Sequence, residues 1–467
     1  MLQLDPHAPL PLVTQIVQGV GRQIDEGQLR EGAKLPSIRQ FAQSHQVSVF
    51  TVVEAYDRLV ALGYLVSRPH AGFFVRRRAA ADEPAAATGP VAEGFDAAWY
   101  LRRIFEHRHL AVKAGCGWLP GDWLFEDGLK RGLRALAADE ADLGGYGEPK
   151  GYPPLRQAIC EALAEHQVSV APAQVLLTQG SSQALDLAVR RLVRAGDTVL
   201  VDDPGYANLL FSLRFQGARL VGVPRTPQGY DLAALEALLQ AAPPEQRPRV
   251  FFTQPRLQSP TGSVATLPQL HRLLQLAEKH DLTLVENDIY VELDPEPRPS
   301  LASLDQLARV IHIGSYSKTL SPHIRVGFAA AHPDLLEDLA QLKMVSGLTS
   351  AEFGERLALA ALQDGRRRKH LKGLRERLGE AHQQVAGRLQ ALGFELFAQP
   401  GAGMFLWARH PGCADPPALA NRAAEHGIML GPGHLFRPAL EPTDWMRFNV
   451  AFSGDARLHD FLARELG

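Results

Sequence analysis

The chain has 467 residues, 46% of them hydrophobic, and carries 49 Lys or Arg against 51 Asp or Glu, for a formal net charge of −2. This length exceeds one ordinary domain and predicts about two to four. The cysteines Cys116, Cys160 and Cys413 have no metal-ligand spacing, so we expect reduced thiols in a cytoplasmic protein without a metal site. We also expect no signal peptide and no membrane-spanning segment.

The first 78 residues predict three helices followed by a hairpin. Apolar residues recur at helical spacing from Leu12 to Ile24, and Ser37 and Ser48 stand where they can cap a second and a third helix. Two short β runs, YLVSR and FFVRR, then flank RPHAG. Two short helices, a tight turn and a wing predict a winged helix-turn-helix, whose second helix can enter the major groove of DNA.

Polar residues in this segment are candidates for DNA contacts. The planar fork of Arg39 suits phosphate or guanine, and Arg68 at the base of the wing can reach the backbone or the minor groove. Ser48 and Thr51, at the start of the third helix, can bind phosphate with hydroxyl and backbone N–H groups. The alternative is that Ser37 and Ser48 are only helix caps and Arg39 only a surface ion pair.

The stretch LREGAKLPSIRQFAQSHQVSVFTVVEAYDRLVALGYLVSRPHAGFFV resembles the GntR family of regulators over about residues 10–76. The resemblance implies a double-stranded DNA operator as partner. Many relatives have Arg directly after the serine that opens the third helix, whereas this chain has Val49. An apolar side chain can touch a thymine methyl group but makes no bidentate base contact, so we expect a different operator sequence.

A change of composition separates this segment from the rest of the chain. The stretch RRRAAADEPAAATGP is rich in Ala, Pro and charge and predicts a linker over residues 79–97, between a DNA-binding domain (1–78) and a larger domain (98–467). In the larger domain, apolar runs such as TVLVDD, RVFFTQ, LTLVEND, RVIHIGS and RVGFAAA alternate with helical stretches. This pattern predicts an α/β/α fold with a mostly parallel sheet, followed by a small α+β lobe over about 346–467.

A lysine follows one of these apolar runs. Lys318 comes after RVIHIG, with Ser315, Ser317 and Arg325 nearby. A lysine beside a buried strand is expected to lose its charge or to react with a carbonyl group. Lysine for an aldehyde, together with Ser and Arg for a phosphate, predicts pyridoxal phosphate as cofactor, with Lys318 as the covalent anchor and catalytic base.

Two further turns suit the same cofactor. Gly180, Ser181 and Ser182 open a helix after the strand VLLTQ, and a turn of small residues at a helix N-terminus binds phosphate. Tyr206, in DDPGY, can stack on the face of the cofactor ring.

The run LTLVEND adds candidates for the ring edge. An anionic Asp288 would keep the pyridine nitrogen protonated, and Tyr290 can donate a hydrogen bond to the ring phenolate. Asp288 and Arg325 can instead be members of structural ion pairs.

With SYSKTLSPHIRVGF, TQGSSQALDL, NDIY and SPTG, the larger domain resembles fold-type I aminotransferases, and the whole chain resembles the MocR subfamily of GntR regulators. This resemblance implies a homodimer in which Tyr146 reaches a neighbouring subunit's phosphate and Arg447 grips a substrate carboxylate. Simple packing for Tyr146 and a salt bridge for Arg447 are the alternatives. True aminotransferases usually have Asn directly before the proline of SPTG, where it donates to the phenolate oxygen of the cofactor ring. This chain has Ser259 there as the candidate cofactor-binding residue, and its shorter hydroxyl weakens the expectation of efficient turnover.

Three functions remain open at this point. The first is a regulator in which an amine or amino acid effector exchanges onto an aldimine at Lys318. The second is an active aminotransferase with a secondary DNA-binding module. The third is a sensor for which pyridoxal phosphate itself is the signal.

Overall fold

The computed structural model describes residues 4–5, 10–25, 28–68, 72–75, 110–138, 144–398 and 401–467. The backbone separates into two compact units, Met1–Gly94 and Phe95–Gly467. The predicted linker, residues 79–97, lies outside the described residues, so its boundaries stay a prediction.

The described part of the N-terminal unit contains the predicted three helices and hairpin. They are α1 (Leu12–Asp25), α2 (Ile38–His45), α3 (Val49–Ala61), β1 (Leu65–Arg68) and β2 (Gly72–Val75), with β1 and β2 antiparallel. Tyr56 of α3 is fully buried, packs edge-on against Phe41 and Phe73, and donates a hydrogen bond to the Pro36 carbonyl at 3.1 Å. One aromatic residue therefore connects the core of this unit to the segment that precedes α2.

The larger unit is built around an eight-stranded sheet and a four-stranded sheet. Its described helices are α4 (Glu126–Ala137), α5 (Pro153–Glu165), α6 (Ser181–Leu192), α7 (Ala207–Phe215), α8 (Leu232–Ala241), α9 (Leu267–Lys279), α10 (Leu301–Asp305), α11 (Pro333–Gly347), α12 (Glu352–Leu362), α13 (Arg367–Ala391), α14 (Pro416–Glu425) and α15 (Ala456–Leu466). Its described strands are β3 (Val175–Thr178), β4 (Thr198–Asp203), β5 (Arg219–Thr226), β6 (Gly229–Tyr230), β7 (Val250–Thr253), β8 (Thr283–Asn287), β9 (Val310–Ser315), β10 (Gly327–Ala330), β11 (Glu395–Leu396), β12 (Phe405–Arg409), β13 (Gly431–Pro432) and β14 (Trp445–Asn449).

The larger sheet has the order β3-β10-β9-β8-β7-β4-β5-β6 and is mostly parallel. The run RVGFAAA, expected with the other runs in a parallel sheet, forms β10, which is antiparallel to both β3 and β9. The short connection after β9 contains no crossover helix, and a parallel return would need one. The carboxyl ends of β3, β4, β7, β8 and β9 consequently share one edge of the sheet, where ligands bind in open α/β folds.

Each face of this sheet packs against its own set of helices. Val285 of β8 lies in an apolar cluster with Leu185 of α6 and Leu209 of α7. Leu284, its neighbour in the strand, lies instead in a cluster with Leu273 of α9 and other residues of the opposite layer. Side chains along β8 therefore alternate between the α6/α7 face and the α5/α9 face, as the period of two in a strand requires.

The small lobe contains the four-stranded antiparallel sheet β11-β12-β14-β13. Residues 110–119 pack beside it: Val112 forms a parallel bridge with Ile428, and the Gly115 N–H donates to the Met429 carbonyl at 2.7 Å. A Cβ at Gly115 would lie 2.3 Å from the backbone of Gly431, so only glycine permits this approach. Among the described helices, none has both the length and the apolar character needed to cross a membrane.

Candidate functional site

Lys318 follows the carboxyl end of β9, in the short connection to β10. Its Nζ donates a hydrogen bond to the Gly117 carbonyl at 2.7 Å. Burial lowers the pKa of Lys318 to about 8; nearby Arg447 and Arg325 also lower this pKa, whereas Cys116 raises it. At neutral pH roughly a tenth of the amine is then uncharged, far more than for an ordinary lysine. The site therefore presents a nucleophilic primary amine.

A candidate anion site lies near this lysine. Gly180, with φ of +79°, precedes the first turn of α6, which carries Ser181 and Ser182. The Arg325 Nη2 donates to the Gln179 carbonyl at 3.0 Å, and a Cβ at Gly180 would approach this nitrogen to 2.5 Å. Glycine is thus required so that the guanidinium group can lie at the helix N-terminus. A helix N-terminus beside a guanidinium group favours an anion.

The hydroxyl groups of Ser315 and Ser317 lie in the segment that carries Lys318. Their Oγ atoms are 3.2 Å apart, and the Ser317 backbone N–H donates to the Ser315 Oγ at 3.2 Å. The structure therefore brings together the lysine, arginine, serine and glycine residues that the sequence nominated for the phosphate end.

Arg447 of β14 is 5% exposed, and its charge lowers the pKa of Lys318. Lys318, Arg325 and Arg447 together define the cleft. The Arg447 Nη2 donates to the Gly115 carbonyl at 2.6 Å and its Nη1 to the Ser259 Oγ at 3.3 Å, while its Nε has no hydrogen-bond partner among the described residues. The rings of Phe405 and Phe436 each lie 4.6 Å from its guanidinium carbon. No carboxylate of the described residues pairs with Arg447, so the salt-bridge alternative finds no support there. A buried guanidinium group with unused donor capacity suits a ligand carboxylate.

Two tyrosines line this cleft. Burial raises the pKa of Tyr206, whereas the positive charges of Arg447 and Arg325 lower it, and its hydroxyl hydrogen-bonds with Ser182. Burial likewise raises the pKa of Tyr290, whose electrostatic neighbours are Arg447 and Tyr206. Both hydroxyl groups are therefore neutral near pH 7 and keep the proton needed to donate a hydrogen bond.

Asp288 does not join this group in the structure. Its Oδ1 accepts a hydrogen bond from the Arg256 Nε at 2.9 Å, and both side chains are buried. Asp288 also lines a cavity on the α5 side of the sheet, with Ile159 and His166. The structure thus shows the structural ion pair that the sequence left open as the alternative for Asp288.

Tyr146 is 86% exposed on this single chain, so the simple packing alternative has no support here. Its contact with a neighbouring subunit stays a prediction.

Sequence reasoning missed several groups in the cleft. Asn449 is fully buried, and its Nδ2 donates to the carbonyls of Trp118 (2.7 Å) and Cys116 (3.1 Å), which fixes the segment that carries Gly117. Its position two residues after Arg447 was a usable signal, because alternate residues of a strand share a face. The carbonyls of Gly115 and Gly117 had no such signal, since they reach the cleft only through tertiary packing.

Four of the five candidate DNA-binding residues lie at the starts of α2 and α3, and the fifth, Arg68, ends β1. Ser37 caps α2 in a capping box with Gln40, and the Ser48 Oγ accepts from the Thr51 N–H at 3.0 Å and lies 2.7 Å from the Thr51 Oγ1. Both serines therefore have the capping role that the sequence left open as the alternative, and their contacts with DNA stay a prediction.

Exposed side chains surround these caps. Arg39 is exposed, Arg68 lies 4.8 Å from the Phe74 ring, and Val49 and Phe50 at the start of α3 are 51% and 77% exposed. The sequence did not single out Phe50 as a candidate for DNA contacts. The exposed beginning of α3 is thus more apolar than basic, which agrees with apolar contacts to bases.

Comparisons with known proteins agree with both parts of this description. Residues 119–464 match the family model "Aminotransferase class I and II", and residues 12–75 match "Bacterial regulatory proteins, gntR family". The chain belongs to the class I and II aminotransferase family and, through its fused GntR domain, to the MocR subfamily of GntR regulators. Membership of this family implies pyridoxal phosphate as cofactor.

Individual relatives match either nearly the whole chain or mainly its larger unit. The chain is 31% identical to the probable rhizopine catabolism regulatory protein MocR of Rhizobium meliloti, covering 92% of this chain and 88% of that protein. It is 35% identical to 2-aminoadipate transaminase of Thermus thermophilus, covering 68% of this chain and 80% of that enzyme. A solved structure of LysN, the α-aminoadipate aminotransferase of the same organism, complexed with N-(5'-phosphopyridoxyl)-L-leucine, matches with a TM-score of 0.71 and 30% identity over 79% of this chain and 94% of that one.

Proposed function

We propose that this protein is a pyridoxal-phosphate-dependent transcriptional regulator that responds to an amine or amino acid. The observation that carries the proposal is one chain with both a GntR domain (residues 12–75) and a larger domain in which three groups come together. These groups are a desolvated lysine, an arginine at a helix N-terminus and a second, buried arginine whose Nε has no partner among the described residues. Relatives that match over nearly the full length of the chain are named as regulators.

The residues of the cleft fit the cofactor. Pyridoxal phosphate, when bound, supplies an aldehyde that bonds to primary amines and a ring that withdraws electrons. The Lys318 Nζ provides the anchoring amine, since it is enclosed beside the Gly117 carbonyl. Arg325, the Ser315 and Ser317 hydroxyls and the first N–H groups of α6 would hold the phosphate, and Tyr206 would stack on the ring.

Arg447 gives the cleft its selectivity for the effector. An amino acid offers an amine toward Lys318 and a carboxylate toward the guanidinium group, whereas a simple amine offers only the first. Signalling requires that the effector bind one state of the protein more tightly than another, because a ligand of equal affinity shifts no equilibrium. We further propose that the active species is a homodimer that reads repeated half-sites.

The experiment uses the purified full-length chain loaded with pyridoxal phosphate. Duplexes selected from a random-sequence pool serve as DNA probes, and fluorescence anisotropy measures affinity before and after addition of single amino acids. We expect selective DNA binding, a change of affinity with one class of amino acid, and loss of this response in Lys318→Ala. Failure to select any duplex would refute the regulator.

An active aminotransferase is the second candidate, favoured by the 35% identity to a named transaminase. A coupled assay with amino donors and 2-oxoacids separates the two functions. Sustained multiple turnover would make the enzyme the primary function. Loss of DNA affinity on removal of the cofactor, without any added amine, would instead make pyridoxal phosphate itself the signal.

A further inference from the structure

Asn287, the last residue of β8, and Asp288, which follows it, face opposite sides of the sheet. Because Val285 packs with α6 and α7, the next residue on the same face is Asn287. Leu284 and Glu286 belong to the opposite face, where Glu286 contacts His312 and the start of α10. The anion site and the cleft tyrosines lie at the starts of α6 and α7, on the face that Asn287 shares.

The charge of Asp288 is already compensated on the other face. Arg256 donates to Asp288 at 2.9 Å, to Asp294 at 3.0 Å and to the Arg298 carbonyl at 2.9 Å. The three side chains of the pairs Arg256–Asp288 and Arg256–Asp294 are between 1% and 6% exposed. Asp288 is thus held in a buried network, and its carboxylate cannot approach the cleft without leaving Arg256 unpaired.

Asn287, in contrast, has unused polar capacity. It is 3% exposed, and its Oδ1 accepts no hydrogen bond from any described residue. Gln254, which follows β7 beside it in the sheet, is also 3% exposed and has an unpartnered Nε2. Buried polar groups in folded proteins normally have partners, so an unpartnered pair at the carboxyl edge indicates a ligand.

We propose that Asn287, rather than Asp288, contacts the pyridine nitrogen of the cofactor, and that this nitrogen stays unprotonated in the bound state. The inference rests on the proposed cofactor. A half-turn of the amide presents Nδ2 as a donor to an unprotonated nitrogen, while a neutral amide does little to stabilise a pyridinium cation. The uncharged ring withdraws electrons weakly, which disfavours proton removal from a bound amino acid.

This arrangement separates two activities of the cleft. Exchange of an incoming amine against Lys318 needs the aldehyde carbon and the lysine, and neither depends on the ring nitrogen as an electron sink. Transfer of the amino group to the cofactor needs the ring as an electron sink. The cleft would therefore capture amino acids covalently and convert them slowly, which suits detection of an effector better than turnover.

The test is a measurement of the protonation state of the cofactor ring. The full-length protein is loaded with pyridoxal phosphate labelled with ¹⁵N at the ring, and its ¹⁵N resonance is recorded. We expect the unprotonated position in the wild type and in Asp288→Asn, and the protonated position in Asn287→Asp. A protonated ring in the wild type, or one that loses its proton in Asp288→Asn, would overturn the assignment.

A cofactor analogue covers the case in which a variant fails to fold. In 1-deaza-pyridoxal phosphate a C–H group replaces the ring nitrogen. Loss of one neutral hydrogen bond is expected to weaken binding to the wild type only about fivefold. A preference for the natural cofactor of more than about a hundredfold would indicate a charged contact and refute the role of Asn287. If neither compound binds, the proposed function itself fails, which is a distinct outcome.

A kinetic measurement provides a third comparison. With L-2-aminoadipate as donor, Asn287→Asp should accelerate amino transfer to the cofactor at least about tenfold, equivalent to a small change in barrier height. Exchange of methylamine onto the cofactor should stay within about twofold of the wild-type rate. Equal acceleration of both processes would contradict a specific effect on the ring.

Discussion

The two units of this chain present their binding residues in different ways. In the N-terminal unit, Ser37 and Ser48 are satisfied by local caps, and Arg39 is exposed to solvent. In the larger unit, Arg447 and Asn287 are buried and retain polar atoms without partners among the described residues. Groups that contact DNA are exposed, and their hydrogen bonds within the protein are already made. A cofactor cleft instead keeps buried polar groups that find a hydrogen-bond partner only when a ligand binds.

This difference predicts how substitutions behave. Substitutions on the DNA-binding surface should alter the affinity for DNA in proportion to the charge that they remove, and should leave the free energy of unfolding unchanged. Changes in the cleft should alter cofactor or effector affinity by larger factors, because water does not replace a hydrogen bond that is lost at a buried site. The following substitutions test this comparison, beginning with the largest expected effect.

Lys318→Ala should abolish the absorption band of covalently bound pyridoxal phosphate, since it removes the anchoring amine. Lys343→Met is the matched control: Lys343 also donates to a carbonyl, that of Leu177 at 2.8 Å, and burial also lowers its pKa to about 8. The control should keep the band. Loss of the band in both variants would show that folding, not the anchor, had been changed.

The pH dependence of cofactor uptake tests whether Lys318 is desolvated. Only the neutral amine reacts, and the pKa of Lys318 is lowered to about 8. The rate of covalent uptake by the apoprotein should therefore rise about tenfold per pH unit below about pH 8 and level off above it. A rate that continues to rise up to pH 10 would indicate a lysine without the predicted desolvation.

Arg447→Lys should weaken binding of L-alanine by about tenfold to a hundredfold, the value of a bidentate charged contact. Ethylamine, which is the same molecule without the carboxylate, should bind the variant and the wild type alike. Absorbance titrations of the cofactor band measure both. Equal weakening for the two ligands would indicate that Arg447 has a structural role and does not recognise the carboxylate.

Gly180→Ala should lower the affinity for pyridoxal phosphate more than about tenfold, because the new Cβ displaces Arg325 from the anion site. Gly196→Ala is the control for backbone strain, since Gly196 also has positive φ (+90°) but open space around its Cβ position. Affinity for pyridoxal, which lacks the phosphate, should be the same in all three proteins. An equal loss for both vitamers would argue against the anion site.

Arg39→Ala should weaken binding about equally across DNA sequences and reduce the salt slope by about one ion, as expected for one phosphate contact. Arg58→Ala serves as control, since Arg58 is paired with Glu54 at 2.6 Å. Thermal unfolding of both variants should match the wild type. A sequence-selective loss would instead assign Arg39 to base recognition.

Sequence alone determined the local features of this protein. Helix caps at Ser37 and Ser48, the alternation within strands and the motif around Lys318 depend on residues within a few positions of one another, so short-range rules predict them. The fold class, the cofactor and the domain types followed from these motifs and are confirmed by the family matches.

Tertiary structure alone decided which side chains enter the cleft. Arg447 meets the Gly115 carbonyl 332 positions earlier in the chain, and Asp288 pairs with Arg256, 32 positions away. No local pattern distinguishes Asn287 from Asp288, because two adjacent polar residues at a strand end can each take either face. The register of β8 and the pairing with the distant Arg256 decide which residue takes which face, since side-chain direction in a strand depends on the partners that each face offers.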